Sequence, residues 1–480
     1  ITTGLATLWP PSFMTTRDLR LMIANGLSRP LTYDPLGGAI NAGITAPSRG
    51  PTVTTPVGGA ATAGTYWCAY RFKDSVRGTY SALSPLTEVE AVANDQFSWD
   101  TITISAEARV THIELWRSTA EQNGKLYLIT TVVNSGTPTY GTDTSSDDTL
   151  GLLDVDSQLD LYTADGDLWA RRQELPPNFF KVCVPYRDRT LWCALAVYSV
   201  GTVSINNGSA TLTGVGTTWP SVLAGREVYM IGADKPYTIS TVGGVTSITL
   251  DENYAGTTLS GVRYAIMADP AVYGNVIVWS EADEPESVPA TQNILPVQES
   301  LASDNDWITG ATPHGTQLWV HKTRHTYSVS FAPQMRLNPG VNLRFSRGTL
   351  NHRCADYFGD TLFLLDALGP WAIGPGDQYI ELGPPIQDYF RDRRVDFGKQ
   401  DWWFVSTSSD EGLVRFFVTL LGQTGSQPKT ALVLNVRTEK WAIETYQEGL
   451  SGSARIEHLG KVRTIVGASY DRIVALGEGL

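Results

Sequence analysis

The strongest constraint on the fold is a hairpin that recurs along the chain. Each copy has a short apolar strand, a polar turn and a second strand that carries an aromatic or large apolar residue. The first strands begin at residues 276, 318, 362, 432 and 464, so the first two intervals are 42 and 44 residues. The longer third interval holds an extra hairpin over 402–417, which combines with the hairpin at 432 into one four-stranded unit. A period of about 40 to 45 residues with four strands per unit is typical of a β-propeller.

The composition agrees with a chain of short strands and tight turns. Aromatic and β-branched side chains fit a pleated surface, and the chain has 14 Trp, 20 Tyr and 14 Phe. Its 45 Gly and 26 Pro supply the backbone of many turns. At 480 residues the chain is long enough for roughly three domains of about 150 residues. We therefore predict an all-β fold, in which a β-propeller carries further β domains.

Two stretches interrupt the hairpin pattern. Residues 45–145 open with a linker-like run and continue with four alternating strands, a spacing that resembles a fibronectin type III-like β-sandwich. Residues 199–268 contain about six short strands, which indicates a small β-barrel inserted into a propeller loop. The predicted propeller then comprises a blade at 146–198 and the main part at 269–480.

The N-terminal residues 1–44 are predicted to close the propeller. Residues 21–24 and 30–33 flank an Asn-Gly pair, which is a strong signal for a hairpin turn. A short helix over 16–25 that ends at Gly26 is the alternative. We favour the hairpin because it resembles the unit at 432–443, and its strands would complete the last blade beside residues 450–480.

Charge and cysteine content limit the class of partner. The 36 basic and 49 acidic residues give a net charge of −13, which offers no basic footprint for duplex DNA. The four Cys are scattered, and two lie in apolar runs, so we predict buried free thiols and synthesis in a reducing cytoplasm. No apolar run reaches the ~18 residues that would predict a membrane-spanning helix.

Histidine and cysteine spacing gives little support for a metal site. His321 and His325 are four residues apart, but they flank a hairpin turn and so should not face one ion. His352 and Cys354 lack two further ligands nearby in the sequence. Exposed hairpin residues are the simpler interpretation, and we predict no metal ligand.

Two acidic turns are the strongest candidates for catalysis. One contains Glu281, Asp283, Glu284 and Glu286, and the other contains Asp304 and Asp306. Paired carboxylates can cleave glycosidic bonds. Acidic turns are more often solvated surface, which is the interpretation that we prefer.

The remaining motifs predict structure rather than chemistry. Ser451-Gly452-Ser453 lacks the second Gly of a nucleophile elbow, and no Lys-Ser/Thr follows the Gly-rich run 369–376. The basic run 391–394 is offset by Asp392 and Asp396, which predicts a salt-bridged loop. Of Trp402 and Trp403, one is expected in the core and the other at a subunit interface. We predict no catalytic, cofactor-binding or metal residue and no cofactor.

Three segments together resemble one family of virion proteins. They are residues 25–31 (Asn-Gly-Leu-Ser-Arg-Pro-Leu), the insert 201–266 with its opening run 201–219, and residues 351–360 (Asn-His-Arg-Cys-Ala-Asp-Tyr-Phe-Gly-Asp) ahead of a blade hairpin. The layout is similar to the tail nozzle (tail hub) family of short-tailed, podovirus-like bacteriophages. The resemblance spans nearly the full length of the chain.

The resemblance implies a non-enzymatic structural role in the virion tail. It implies a homo-oligomeric ring, predicted as a hexamer, that contacts tail adaptor and tail fibre or spike proteins. Viral DNA would pass through its channel during genome ejection and virus entry without specific binding. Assembly in the host cytoplasm is expected. Two alternatives stay open: a receptor- or glycan-binding tail propeller, and a glycoside hydrolase or lyase that acts on host polysaccharide.

Overall fold

We describe the chain from a computed structural model. The described residues are 12–15, 20–24, 26, 29–34, 38–122, 124–136, 141–154, 157–161, 175–176, 180–195, 198, 200–266, 275–289, 293–297, 306–331, 339–458, 461–468 and 472–475.

The described N-terminal residues form a four-stranded antiparallel sheet, which we call blade A. Its strands pair in sequence order: β1 (Ser12–Thr15), β2 (Leu21–Ala24), β3 (Leu31–Asp34) and β4 (Gly38–Asn41). Leu21 lies opposite Tyr33, so this segment adopts the hairpin and not the alternative helix.

The next unit consists of two packed sheets and is a β-sandwich. Its elements are β5 (Thr52–Thr54), β6 (Gly64–Asp74), β7 (Thr79–Tyr80), β8 (Thr87–Ala91), β9 (Phe97–Thr101), β10 (His112–Arg117), β11 (Lys125–Val133), β12 (Thr142–Asp143), α1 (Asp147–Gly151) and β13 (Gln158–Asp160). The larger sheet has the order β13-β11-β10-β6-β7, with β8 also on β6, and the smaller has the order β12-β9-β5. Tyr66, Phe97 and Trp99 are buried in one apolar cluster with residues of β10.

The sandwich is longer than the predicted 45–145. β13 pairs with β11, and the buried Arg117 of β10 contacts the carboxylates of Asp143 at 2.5 Å and Asp147 at 3.0 Å. A buried guanidinium needs such partners, and this pairing holds α1 against the sheet. Residues 146–154 and 157–161 therefore belong to the sandwich and not, as predicted, to a propeller blade.

Blade B is interrupted by a closed barrel. The blade begins with β14 (Phe180–Tyr186) and β15 (Arg189–Leu195). The barrel follows with β16 (Thr202–Ile205), β17 (Thr211–Val215), a 3-10 turn (Ser221–Leu223), β18 (Glu227–Met230), β19 (Tyr237–Gly244), β20 (Ser247–Leu250), β21 (Leu259–Val262) and β22 (Tyr264–Ile266). The barrel sheet has the order β21-β16-β17-β20-β19-β18-β22. Only Arg263 separates β21 from β22, so one bent segment forms both ends of the sheet and closes it. Blade B then resumes with β23 (Val276–Trp279) and β24 (Ile294–Pro296).

Four further sheets follow in sequence. Blade C contains β25 (Ile308–His314), β26 (Gln317–Lys322), β27 (Thr326–Ser330) and β28 (Gly340–Phe345). Blade D contains β29 (Ala355–Phe358), β30 (Thr361–Asp366), β31 (Gly369–Gly374) and β32 (Gln378–Glu381). A 3-10 turn (Pro384–Ile386), α2 (Gln387–Arg391) and a second 3-10 segment (Phe397–Trp402) lead to the next blade. Blade E contains β33 (Phe404–Ser408), β34 (Leu413–Val418), β35 (Thr430–Asn435) and β36 (Lys440–Thr445), and blade F contains β37 (Leu450–His458), β38 (Lys461–Ala468) and β39 (Arg472–Ala475).

Apolar clusters lie between successive blades. Met22 of blade A packs with Trp192 of blade B, Leu318 of blade C joins the cluster of blade B, and Trp319 packs with Trp371 of blade D. Further clusters join blade D to blade E and blade E to blade F. Because both faces of a blade are covered, β31 is buried along its whole length. The fold is an all-β propeller with two β-domain insertions.

The N-terminal strands do not share a sheet with the last blade, which differs from the prediction. β1 to β4 satisfy one another within blade A, while the described strands of blade F are the three from 450 to 475. Phe13 of β1 and Ile473 of β39 line the same cavity, so blades A and F both face the axis.

All four cysteines are buried and free. Burial raises the pKa of the Cys68, Cys183 and Cys354 thiols to about 12, because the thiolate would lose its hydration. These thiols pack as small apolar groups.

We predict that the barrel folds without the rest of the chain. Its ends meet through reciprocal hydrogen bonds between the backbones of Tyr198 and Ile266, at 3.0 and 2.8 Å, and it has its own apolar core. A peptide of residues 198–266 should unfold cooperatively on heating. Its single Trp219, which is buried and donates to the Tyr264 hydroxyl at 2.9 Å, should show blue-shifted fluorescence. Fluorescence of a fully hydrated indole would contradict this prediction.

Candidate functional site

A large cavity lies on the propeller axis. The first strand of each of the six blades contributes to its wall, and its volume is about 1080 Å³. Pockets that enclose small molecules have volumes of about 300 to 1000 Å³, so this axial cavity has the size of a ligand site.

Arg353, just before β29, joins three blades at the axis. Its Nη1 donates to the carbonyl oxygen of Ser451 in blade F, and its Nη2 donates to that of Asp401 at 3.1 Å. The guanidinium carbon lies 5.7 Å from the ring centroid of Phe404 in blade E. Burial lowers the pKa of Arg353 to about 10, although the nearby Asp401 opposes this effect.

A second polar contact joins the same blades. The Asp356 carboxylate accepts from the backbone N–H of Thr407 at 2.8 Å and from its hydroxyl at 2.9 Å. Arg455 of blade F donates to the other oxygen of Asp356 and, at 3.0 Å, to the carbonyl oxygen of Tyr357. The pKa of Asp356 is raised overall, because the effect of burial is larger than the opposing effects of Arg455 and the Thr407 donors.

Two of the histidines weighed as metal ligands are enclosed by protein and not exposed as predicted. His321 is buried, and its ring nitrogens contact the hydroxyls of Thr326 at 3.3 Å and Thr312 at 3.2 Å. His352 is in the wall of the axial cavity, and its buried Nδ1 has no hydrogen-bond partner. Burial lowers the pKa of His321 to about 3 and that of His352 to about 4.

The candidate metal ligands do not converge. His325 contacts Asp306 at 2.6 Å rather than the partners of His321, and the Cys354 thiol lies 3.7 Å from the carbonyl oxygen of Trp403. Within the described residues, no group of three His, Cys, Asp or Glu side chains is arranged to hold a metal ion.

The first acidic turn is only partly solvated surface. Asp283 and Glu284 are exposed as predicted, whereas Glu281 and Glu286 are buried, so the prediction was wrong for those two. The Glu286 carboxylate accepts from the Gly43 N–H at 2.5 Å, from Arg109 Nη1 at 2.7 Å and from Arg20 Nη1 at 2.9 Å. Arg109 also contacts Asp74 at 3.3 Å. We call Arg20, Gly43, Asp74, Arg109 and Glu286 the Glu286 junction, because they connect the sandwich to blades A and B.

The other members of the acidic turns also have structural surroundings. Glu281 is buried and contacts Arg189 at 3.6 Å and the Asn293 amide at 3.3 Å. Asp306 is buried and accepts from the Arg324 N–H at 2.9 Å, while Asp304 lies outside the described residues. Asp283, Glu284 and Glu286 line one small pocket of about 40 Å³, which is far below the roughly 300 Å³ of a typical small-molecule site.

The remaining motifs from the sequence lie in three kinds of place: the core, the surface and the wall of the axial cavity. The Gly-rich run contains β31, which is a buried strand and not a phosphate loop. Arg391 pairs at the surface with Asp388 and Asp392, whereas Asp396 pairs with Lys399. Trp403 is buried as predicted for one of the pair, and Trp402 and the serines of 451–453 line the axial cavity.

Sequence analysis missed the axial role of Arg353, Asp356 and Arg455. Part of this site was recognisable in the sequence, because residues 351–360 are one of the three segments that carry the family resemblance. The contacts of this segment with blade F span about a hundred positions in the sequence, and only the tertiary fold brings the two segments together.

Comparisons with known proteins give no family assignment. No protein-family profile matches the chain, and no curated protein matches it. Solved structures with partial likeness include the dihydro-heme d1 dehydrogenase NirN, with 10% identity, a TM-score of 0.28 and coverage of 61% of this chain and 63% of that one. The apocarotenoid oxygenase of Synechocystis has 8% identity and a TM-score of 0.22, and the match covers 95% of this chain and 66% of that one. A phage phi92 endosialidase has 10% identity and a TM-score of 0.15, and the match covers 92% of this chain and 54% of that one.

The chain spans less than two thirds of the length of each of these solved structures. At these scores the likenesses support no statement about activity, and the fold rests on the strand pairing given above.

We predict that Glu286→Ala destabilises the protein strongly. Removing one partner from a buried charge network costs about 3 to 5 kcal/mol, because Arg20 and Arg109 would lose a buried carboxylate. Thermal unfolding followed by circular dichroism should show a large drop in midpoint. Glu252→Ala, which breaks an exposed contact with Lys235, is the matched control and should leave the midpoint nearly unchanged. Equal effects of the two substitutions would contradict a structural junction.

We predict that His352 makes the protein less stable in weak acid. Its pKa is near 6.5 in the unfolded chain and about 4 in the fold, so the unfolded chain takes up the proton first as the pH falls. The free energy of unfolding is therefore unaffected by this group above about pH 6.5. Between pH 6.5 and pH 4 it falls by at most about 1.4 kcal/mol per pH unit. Urea midpoints at pH 7 and pH 5 should differ less in His352→Gln than in the wild type. The same difference in both proteins would count against the prediction.

Proposed function

We propose that the chain is a structural subunit of a virus particle that forms a ring in the tail of a short-tailed phage. The observation that supports this most is the Glu286 junction, which fixes an inserted domain on a propeller. The tail nozzle resemblance, carried by residues 25–31, 201–266 and 351–360, supplies the functional context.

A rigid junction suits a ring subunit. Closed cyclic symmetry requires each copy to present two complementary surfaces at one fixed angle. The contacts of Glu286 with Arg20, Gly43 and Arg109 come from different units of the chain and hold the sandwich in one orientation. A sandwich on a loose linker would present its surface at many angles.

The charge balance also suits a conduit for DNA. With 36 basic and 49 acidic residues, the chain has no excess of cations to hold phosphate groups. DNA that passes through such a ring would be repelled weakly from its wall and would not be retained by it. No helix among the described residues has the length and apolar character needed to cross a membrane.

In this role the chain acts mechanically. Six copies would surround a channel, hold it in line with the adaptor, retain packaged DNA and release it at infection. The inserted sandwich and barrel would contact neighbouring tail proteins or extend the tube.

Mass photometry and class-averaged electron micrographs of the purified protein test the proposal. We expect a sixfold ring with a central opening. Glu286→Gln should lower the fraction of rings because it loosens the sandwich, whereas Glu252→Gln on the barrel surface should not. A compact monomer under conditions in which the protein is folded would contradict the proposal.

The axial cavity favours a second candidate, a receptor- or glycan-binding tail propeller. Retention on immobilised glycans by a trimer would support it over the nozzle. Glycan cleavage has less support, because the described wall of the cavity offers one carboxylate, Asp356, and glycoside hydrolysis generally uses two. Release of oligosaccharide that is lost on substitution of one carboxylate would favour cleavage.

A further inference from the structure

The axial cavity has a cationic group with unused hydrogen-bond donors. A guanidinium carries five N–H donors, and those of Arg353 make hydrogen bonds to two carbonyl oxygens, of Ser451 and Asp401. No carboxylate of the described residues lies within salt-bridge distance of Arg353. Nε of Arg353 makes no hydrogen bond and is not sealed within the protein, and Arg353 lines the cavity.

The one carboxylate among the described wall residues, that of Asp356, is already paired. One oxygen of Asp356 accepts from two donors of Thr407, and the other pairs with Arg455. Asp356 and Arg455 therefore offset each other, while Arg353 remains as the excess charge of the described wall. An anion would find hydrogen-bond donors and positive charge together there.

The same wall exposes aromatic surface. The side chain of Phe13 is 54% exposed and that of Tyr357 is 43% exposed, and both line the cavity. One side of Tyr357 is near the Arg455 guanidinium, whose carbon lies 4.8 Å from the ring centroid. Exposed aromatic faces that flank a cationic group can pack against the C–H faces of a sugar ring.

Hydroxyl groups complete the lining. Thr15, Thr312, Ser406 and Ser453 all contribute to the wall, and each can donate and accept hydrogen bonds. The combination is one net positive charge, exposed aromatic rings and several hydroxyls in about 1080 Å³.

We propose that the axial cavity binds a small organic carboxylate of saccharide size, such as a uronic acid. Its carboxylate accepts hydrogen bonds from Arg353, its ring packs on Phe13 or Tyr357, and its hydroxyls contact the wall. This binding goes beyond the proposed ring function and does not depend on it.

Isothermal titration of the full-length protein with D-glucuronate tests the proposal, with D-glucose as the neutral probe and inorganic phosphate as the plain anion. We expect one glucuronate per chain and at least about tenfold weaker binding of both glucose and phosphate, since hydrogen bonds to a charged group contribute most. Arg353→Gln should weaken glucuronate binding by about tenfold or more. Arg391→Gln, at an exposed position outside the described wall, is the matched control and should bind as the wild type does.

Arg353 also joins blades, so a second variant avoids dependence on it. Ser453 is exposed in the cavity, and Ser453→Trp should block the space without removing a blade contact. Ser221→Trp on the barrel surface is its control. Near-ultraviolet circular dichroism checks that each variant is folded.

The results discriminate clearly. Loss of glucuronate binding in folded Ser453→Trp, with binding retained in Ser221→Trp, supports the site even if Arg353→Gln fails to fold. The proposal is overturned if the wild type does not bind glucuronate, if it binds glucose or phosphate equally well, or if Ser453→Trp binds as the wild type does. A failure here leaves ring formation unaffected, so the two proposals are tested separately.

Discussion

The structure depends on the need of each small sheet to bury both of its faces. A four-stranded sheet has two apolar faces and two edges, and it is not stable alone in water. Here, successive blades cover each other with clusters such as Trp319 against Trp371 and Phe404 against Leu450. Burial of apolar surface contributes about 25 cal/mol per Å², so the packing between blades is the main stabilising term. A ring is the arrangement in which every such sheet has two neighbours.

Polar contacts stabilise the places where apolar packing is weakest. At the axis, the first strands of the blades diverge around a cavity, and Arg353 and Asp356 connect blade F to its neighbours. At the base of the sandwich, Glu286 and Asp74 both pair with Arg109 and so connect the sandwich to blade B. Buried charges of this kind are costly unless each is fully paired, and they specify one orientation rather than add much stability. The two insertions therefore differ: the sandwich is held by buried ion pairs, and the barrel closes on itself and leaves the blade through adjacent ends.

The axial cavity brings together the features that bear on function. Its wall contains Arg353, His352 and exposed aromatic side chains from blades that are far apart in sequence. The ligand proposed for this cavity and the proposed ring assembly therefore rest on separate observations.

Much of the fold was determined by local sequence patterns. The 42- and 44-residue hairpin period, the Asn-Gly turn and the dense short strands of 201–266 each depend on neighbouring residues, and these predicted the propeller, the first hairpin and the barrel. Three features were visible only in the tertiary structure. The sandwich extends to β13, the N-terminal strands form a sheet of their own, and Glu286 is buried. It also decided the meeting of Arg353 with Ser451. The physical reason is that strand pairing and charge pairing between distant segments depend on which partners the tertiary fold brings within a few ångströms, and no local pattern contains that distance.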